Sequence, residues 1–569
     1  MSDFSDDPSR LGYRQMNRFD PPARRKADFC DGSSDRSFPP SNPLEEGMER
    51  HRRGDAAGAL KFFRLALPTA PDLPDAETAP VLVTIAACLI ESFRVDSQSP
   101  HAYDFLRDLN AETAEVMAGL IQLANFPTGE VDPRKVDKAV FLSYTGLLTA
   151  AKRFDEAIDL LSAAVIGSFD LAERHALFVA RRRKEGRPDS LRGLFCPVPF
   201  ERFDILPGGH VHVCSAARMH ETIGNIFSQD WERVWNSPKA RAIRASVHDG
   251  TYRFCDKVKC PFIEKETLFP TSAETALTPS QTLDPELKNV AESKATTLAS
   301  PPRTVSLSYD LSCNLSCPSC RTELTLAKPP EAKFLLEVSD RKILPLLAKV
   351  GDVMLSGCGD PFASKSMRHV LKSLNSKQYP HLKLKIMTNG ILLTEERWKD
   401  MPNLRGMVDS VWISIDAADP ETYAVLRRGG DWNKLLKNLE FLGRARASGE
   451  FRNLAILFVV QARNWREMPE FVRMGRRVGA TSIHFNAIEN WGAYTAPQFA
   501  ELAVHFPGHP EHLEFKELLR SPVFDDPIVD FNVLTPLRLQ ALERDAHGDS
   551  NGPTGVHGTQ RDNPTRGRP

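Results

Sequence analysis

Cys313, Cys317 and Cys320 fall in the spacing C-x3-C-x2-C within the segment LSCNLSCPSCR, directly after the apolar run Val305, Leu307, Tyr309 and Leu311. Thiols converging on one short polar loop form a metal-ligand set, and the segment offers no fourth. A [4Fe–4S] cube normally takes four Cys thiolates, so a loop supplying three leaves one iron open to a ligand from outside the chain. Zn²⁺ also accepts thiolates, and a zinc knuckle completed by a distant fourth ligand has the same local form. Spacing by itself leaves both chemistries open.

The elements that must position this loop follow it. Apolar runs of strand length alternate with amphipathic stretches of helix length, the βα pattern of a parallel sheet. They predict strands over 304–312, 353–357, 382–389, 410–416, 454–461 and 482–486, with helices near 340–349, 366–374, 395–399, 432–447 and 466–478. In barrels of this kind chemistry gathers at the carboxyl ends of strands. Those ends carry the Cys loop, then Gly357-Cys358-Gly359-Asp360-Pro361, Thr388-Asn389-Gly390 and Ser414-Ile415-Asp416. Each alone is also an ordinary strand-end turn. All of them in order, with Glu421-Thr422-Tyr423 and Leu426-Arg427-Arg428-Gly429-Gly430 after them, resemble the radical S-adenosylmethionine (radical SAM) superfamily.

That resemblance implies a partial (β/α)6 barrel and a [4Fe–4S] cluster on Cys313, Cys317 and Cys320. The open iron would chelate the amino and carboxylate groups of SAM. Reductive cleavage of SAM would then give a 5′-deoxyadenosyl radical that abstracts hydrogen from a substrate, the electron coming from an external flavodoxin- or ferredoxin-like donor. Gly357, Gly359 and Asp360 would hold the methionyl ammonium, and Thr388, Asn389, Ser414 and Asp416 would face the ribose and carboxylate. Two positions depart from the family pattern. Ser319 stands where an aromatic residue usually meets the adenine, leaving Tyr309 or strand-five side chains as candidates, and Cys358 is read as a free thiol.

A second ligand set lies at 191–263. Cys196 is followed by Gly209 and Cys214 in the spacing C-x12-G-x4-C, then by Ile223-Gly224-Asn225-Ile226, Trp231 to Trp235, Asn236-Ser237, and Cys255-x4-Cys260. This resembles the SPASM domain, an auxiliary iron–sulfur module. The resemblance implies a second [4Fe–4S] cluster on Cys196, Cys214, Cys255 and Cys260, with structural Zn²⁺ as the alternative. SPASM modules usually follow the radical SAM core and carry seven cysteines; here four precede it.

The whole chain has 569 residues, too many for one core. We divide it into a disordered tail (1–43), a helical repeat-like domain (44–185), the Cys-rich module (191–263), a Thr/Ser/Pro/Ala-rich linker (264–302), the barrel (303–490), a C-terminal extension (491–544) and a second disordered tail (545–569). Ala59, Phe63 and Ala66, then Ala157, Leu161 and Ala164, take the A-x3-F-x2-A or equivalent spacing of tetratricopeptide-like helix pairs, against a plain bundle. Cys30 falls in the first tail and Cys88 in an apolar helix. Asn490 to Tyr494 is placed near the barrel top as a cavity or rim segment, and His505, His509 and His512 form a His-rich loop.

Formal net charge of −1 argues against a nucleic-acid surface. The acidic start MSDFSDDPSR is no secretory leader, no apolar run is long enough for a membrane span, and ten cysteines, most of them clustered, suit metal ligation in a reducing cytoplasm. A repeat groove favours a peptide or protein substrate. Dehydrogenation or epimerisation of a small sugar or cyclitol is the alternative, and a zinc-stabilised interaction scaffold the non-enzymatic one.

Overall fold

The computed structural model describes residues 138–165, 170–271, 283–355 and 358–543, with helix Pro43–Arg52 and isolated positions before residue 138. Both expected tails apart from Pro43, Cys30, Cys88, Phe63, Ala66 and Gly357 lie outside the described residues.

In chain order the strands are β1 Leu194–Phe195, β2 Arg202–Ile205, β3 His210–His212, β4 Gly224–Asn225, β5 Phe269–Pro270, β6 Thr304–Leu307, β7 Asp352–Leu355, β8 Lys383–Thr388, β9 Val408–Ser414, β10 Asn453–Val460, β11 Ser482–Ala487 and β12 Val529–Asp530. β1 and β5 form a separate antiparallel ribbon. The other ten make one sheet in the order β12-β11-β10-β9-β8-β7-β6-β2-β3-β4. From β6 to β12 all neighbours are parallel. Helices sit between consecutive strands, among them Lys365–Ser373, Glu395–Lys399, Trp432–Ala447 and Met468–Arg477, as the periodicity predicts. β10, NLAILFVV, is apolar nearly throughout because it lies inside the sheet, between β9 and β11, and is buried along almost its whole length.

Two boundaries move for identifiable reasons. The first strand stops at Leu307 rather than running to 312, because Asp310 is buried and takes hydrogen bonds from the Ser312 amide (2.9 Å) and the Ser364 and Ser366 hydroxyls (2.5 and 2.7 Å). Those bonds turn the chain into a loop. The helix expected near 340–349 begins at Pro329 and passes through a π turn, Ser339–Ile343, into Leu344–Leu347. Pro345 lacks an N–H and clashes with the carbonyl one turn back, which breaks the regular ladder there.

The Cys-rich module is part of the same sheet. β2 pairs in parallel with β6, from Arg202 opposite Thr304 to Ile205 opposite Leu307, and β3 and β4 follow antiparallel. Its buried Phe203, Val211, Ile226 and Trp235 join Val305, Leu307 and Val353 in one hydrophobic core. At Gly209, φ is +81° and an added Cβ would lie 2.5 Å from the Phe227 ring, so this glycine is required by both backbone and packing.

The expected linker is partly built structure. Asp284 caps helix Pro285–Ser293 through the amides of Glu286 and Leu287, with Pro285 at the first helical position. The module also grips the linker's end: Trp235 Nε1 donates to Ser300 O (3.0 Å), and buried Arg244 reaches Pro199 O and Thr296 O, both at 3.0 Å.

Ahead of the module, helices Lys138–Ala150, Phe154–Val165 and Leu171–Lys184 share one core in which Ala157 and Leu161 are fully buried. Among the described residues no helix is long and apolar enough to cross a membrane.

Candidate functional site

The loop after β6 presents Cys313 and Cys317 buried and Cys320 exposed. Each sulfur faces an N–H donor. The Leu315 amide lies 3.5 Å and Asn389 Nδ2 3.8 Å from Cys313 Sγ, Arg427 Nη1 lies 3.9 Å from Cys317 Sγ, and Arg321 Nη2 lies 3.4 Å from Cys320 Sγ. Burial pushes the Cys313 and Cys317 thiols up, while the Leu315 amide and Arg321 oppose it at the first and Arg427 at the second. Donors aimed at sulfur favour the thiolate that metal ligation requires.

The other strand-end loops close around this one. An added Cβ on Gly359 would lie 2.4 Å from Asp310 O and 2.6 Å from Ser312 O, so the glycine loop touches the backbone of the Cys loop. The Asp360 amide donates to Ser312 O at 2.8 Å. The Asp360 carboxylate is buried and takes hydrogen bonds from the Phe362 amide (2.9 Å), the Thr388 hydroxyl (2.6 Å) and the Asn389 amide (2.9 Å). It thus fastens the glycine loop to the Thr-Asn-Gly turn. Asn389 in turn donates to Asn314 Oδ1 at 2.9 Å. Ser414 is half-buried at the end of β9.

Asp416 holds a left-handed backbone, φ +63°, which is strained for a residue with a side chain. One carboxylate oxygen accepts the Val459 amide at 2.8 Å, and the other pairs with Arg427 Nη2 at 2.7 Å. Although burial opposes its charge, Arg427 has its pKa raised by Asp416 and Cys317. Tyr494, from the segment expected at the barrel top, is pushed up by burial and by nearby Cys317. Tyr309 is in the core, its hydroxyl 2.7 Å from Ser339 Oγ, so it does not face the loop as an adenine contact.

Arg321 and Arg427 were not singled out as site residues in the sequence. Their signals were adjacency to the third cysteine and membership of the Leu-Arg-Arg-Gly-Gly stretch.

Cys196, Cys214, Cys255 and Cys260 gather beside β1 and β3. Burial raises all four thiols, Cys214 to about 11, and each of the first three is raised further by neighbours within the set. Four neighbouring half-buried thiols that resist ionisation together are the donor chemistry that a bound cation resolves. Among the described residues no three His, Cys, Asp or Glu side chains are closed into a coordination set. His509 and His512 spend ring nitrogens on Glu501 O and Val504 O, and with His505 they form no coordination set.

Residues 311–475 match the radical SAM superfamily, and residues 196–261 match SPASM, an iron–sulfur cluster-binding domain. The chain thus carries a radical SAM domain and a SPASM iron–sulfur domain. Its SPASM module lies before the radical SAM core, and the two domains imply SAM and [4Fe–4S] clusters as cofactors. Among curated relatives, a GTP 3',8-cyclase of Rhizobium etli (strain CIAT 652) is 26% identical over 178 residues, 30% of this chain and 48% of that protein. One from Bradyrhizobium diazoefficiens is 26% identical over 201 residues, 34% and 55% of the two chains. The chain therefore spans about half the length of the curated relatives it matches. Among solved structures, Streptococcus suis SuiB bound to S-adenosylmethionine is 18% identical with a TM-score of 0.28, covering 39% of this chain and 51% of that one. SuiB bound to precursor peptide SuiA is 17% identical with a TM-score of 0.27, covering 47% and 58%.

Proposed function

We propose that the protein cleaves SAM reductively and uses the resulting radical to abstract hydrogen from a peptide or protein. The observation that carries the first part is the N–H donor at every sulfur of the three-cysteine loop, set where four strand-end loops meet. Cys313, Cys317 and Cys320 would hold the cluster, and Gly357, Gly359, Thr388, Asn389, Ser414 and Asp416 would line the SAM site. The Asp360 carboxylate serves that site by fixing the loops that form it. When bound, the cluster supplies the electron that splits the sulfonium of SAM. The residues around it keep charge in place: Arg427 and Arg321 offset negative charge at sulfur, and Asp416 orients Arg427.

A polypeptide substrate is supported by exposed apolar side chains beside the Cys loop. Exposed Leu324 and Leu326 flank Thr325, whose carbonyl accepts the Cys313 amide at 2.8 Å, and Trp491 is exposed near Tyr494 in sequence. Such surfaces suit side chains of a chain-like ligand more than a polyhydroxylated ring. The SPASM module would hold a second cluster on Cys196, Cys214, Cys255 and Cys260.

Anaerobically reconstituted full-length protein, reduced with dithionite, is expected to convert SAM to 5′-deoxyadenosine. Replacing Cys313, Cys317 and Cys320 by Ala is expected to abolish this. Natively purified protein holding zinc and no iron would overturn the proposal. For the substrate, the peptide fraction of a cell extract should raise the 5′-deoxyadenosine yield and leave a peptide of altered mass; a rise with the small-metabolite fraction alone selects the sugar or cyclitol reading.

A further inference from the structure

The segment between the last two SPASM cysteines is held from outside the module. Of the four residues between Cys255 and Cys260, Asp256 is wholly buried and pairs with Arg174 Nη1 at 3.0 Å, the Arg174 side chain being only 6% exposed. The Asp256 amide donates to Arg218 O at 2.8 Å, and its Oδ1 accepts the Val258 and Lys259 amides at 3.2 and 3.1 Å. Lys257 Nζ lies 2.8 Å from His175 Nδ1. Val258 packs against both the core of the helical segment and that of the module. Arg174 and His175 are consecutive residues on helix Leu171–Lys184, which belongs to the helical segment and not to the module.

A buried ion pair is a weak source of net stability, because desolvation offsets most of the attraction, but removing one partner strands a buried charge. Its attested use is to fix one register between two elements. Here the elements are a helix and the loop that carries two thiols, and the contacts fall on the stretch that sets the separation of those thiols.

We propose that Arg174 and His175 are positioning residues of the auxiliary iron–sulfur centre, with the helical segment acting as its outer wall. This rests on the reading of Cys196, Cys214, Cys255 and Cys260 as cluster ligands. The helical segment is then a structural component of the second centre rather than an appended domain.

The test uses the full-length Cys313→Ala/Cys317→Ala/Cys320→Ala protein, so that bound iron reports on the auxiliary centre alone. Arg174→Met is expected to lose iron to a chelator about 10-fold faster than this parent and to change the electron paramagnetic resonance spectrum of the reduced cluster, as loss of an outer contact does at other metal sites. Arg174→Lys, which keeps the charge, should recover most of the parental rate. Arg182→Met, on the same helix but directed at Pro188 O and Glu266, controls for loss of folding. Parental iron retention and spectrum in Arg174→Met would overturn the proposal, as would equal iron loss in Arg174→Met and Arg182→Met. An iron-free parent with native circular dichroism would overturn the ligand reading itself and the proposal with it.

Discussion

Arg427, its side chain 13% exposed, sits between the buried Asp416 carboxylate, 2.7 Å away, and the Cys317 sulfur, 3.9 Å away. Arg427→Gln strands the Asp416 charge and should lower stability by about 3–5 kcal/mol. In urea unfolding, the Asp416→Asn/Arg427→Gln pair should lose less than the sum of the single variants, because the two residues share one interaction. Gly359→Ala puts a methyl against two carbonyl oxygens that belong to another loop's backbone and cannot swing aside. It should cost about 1–3 kcal/mol and sharply reduce 5′-deoxyadenosine formation, while iron at the auxiliary cysteines stays unchanged. His505 gives a pH dependence. Burial, then His512, Lys259 and His509, lowers its pKa from 6.5 to about 4. Its Nδ1 is buried without a hydrogen-bond partner. The unfolded chain takes up this proton before the folded one does, so the contribution is whole above pH 6.5, falls as pH drops toward about 4, and falls no further below that. His505→Gln should flatten the urea midpoint across that window. At this scale the two cysteine clusters were legible in the sequence because cysteine spacing is local. The partners of Asp360 and Cys317 were not, since Thr388 lies 28 residues and Arg427 110 residues away.

The elements show where local signals suffice. Trp432–Ala447 and Glu395–Lys399 form as the periodicity predicts, since each carries its own start: Asp431 caps the first through the Lys434 amide, and Thr394 the second through the Arg397 amide. Helix Pro285–Ser293 has a start signal in Asp284-Pro285-Glu286, but its surroundings are polar and short of apolar period, so the stretch reads as linker. The placement of β2 had no signal of its own. Four residues, RFDI, find their parallel partner about a hundred positions later, and strand pairing of that kind is a property of the folded whole. The turn into β3 depends on Gly209, so Gly209→Ala should loosen the β2–β3 hairpin. It should also disturb the edge-to-face contact of Phe227 with Tyr309 (6.3 Å) and lower the melting temperature of the full chain.

For the whole molecule, the module and the parallel strands β6–β12 share one sheet and one core, so the two are expected to unfold together. A protease site introduced between Thr271 and Leu283 should therefore cut the chain without separating its halves: both fragments should co-elute on gel filtration in native buffer and part only in denaturant. Separation on cutting would show that the β2–β6 pairing contributes little. The same pairing bears on how the chain is made. A parallel strand such as β6, first in its barrel, is born with one edge of unpaired amides and carbonyls, a template on which other chains can add. Because the module comes first in the sequence, β2 leaves the ribosome about a hundred residues ahead of β6. The strand that shields this edge is thus already synthesised when the edge emerges, so β6 has a partner for that side as soon as it forms.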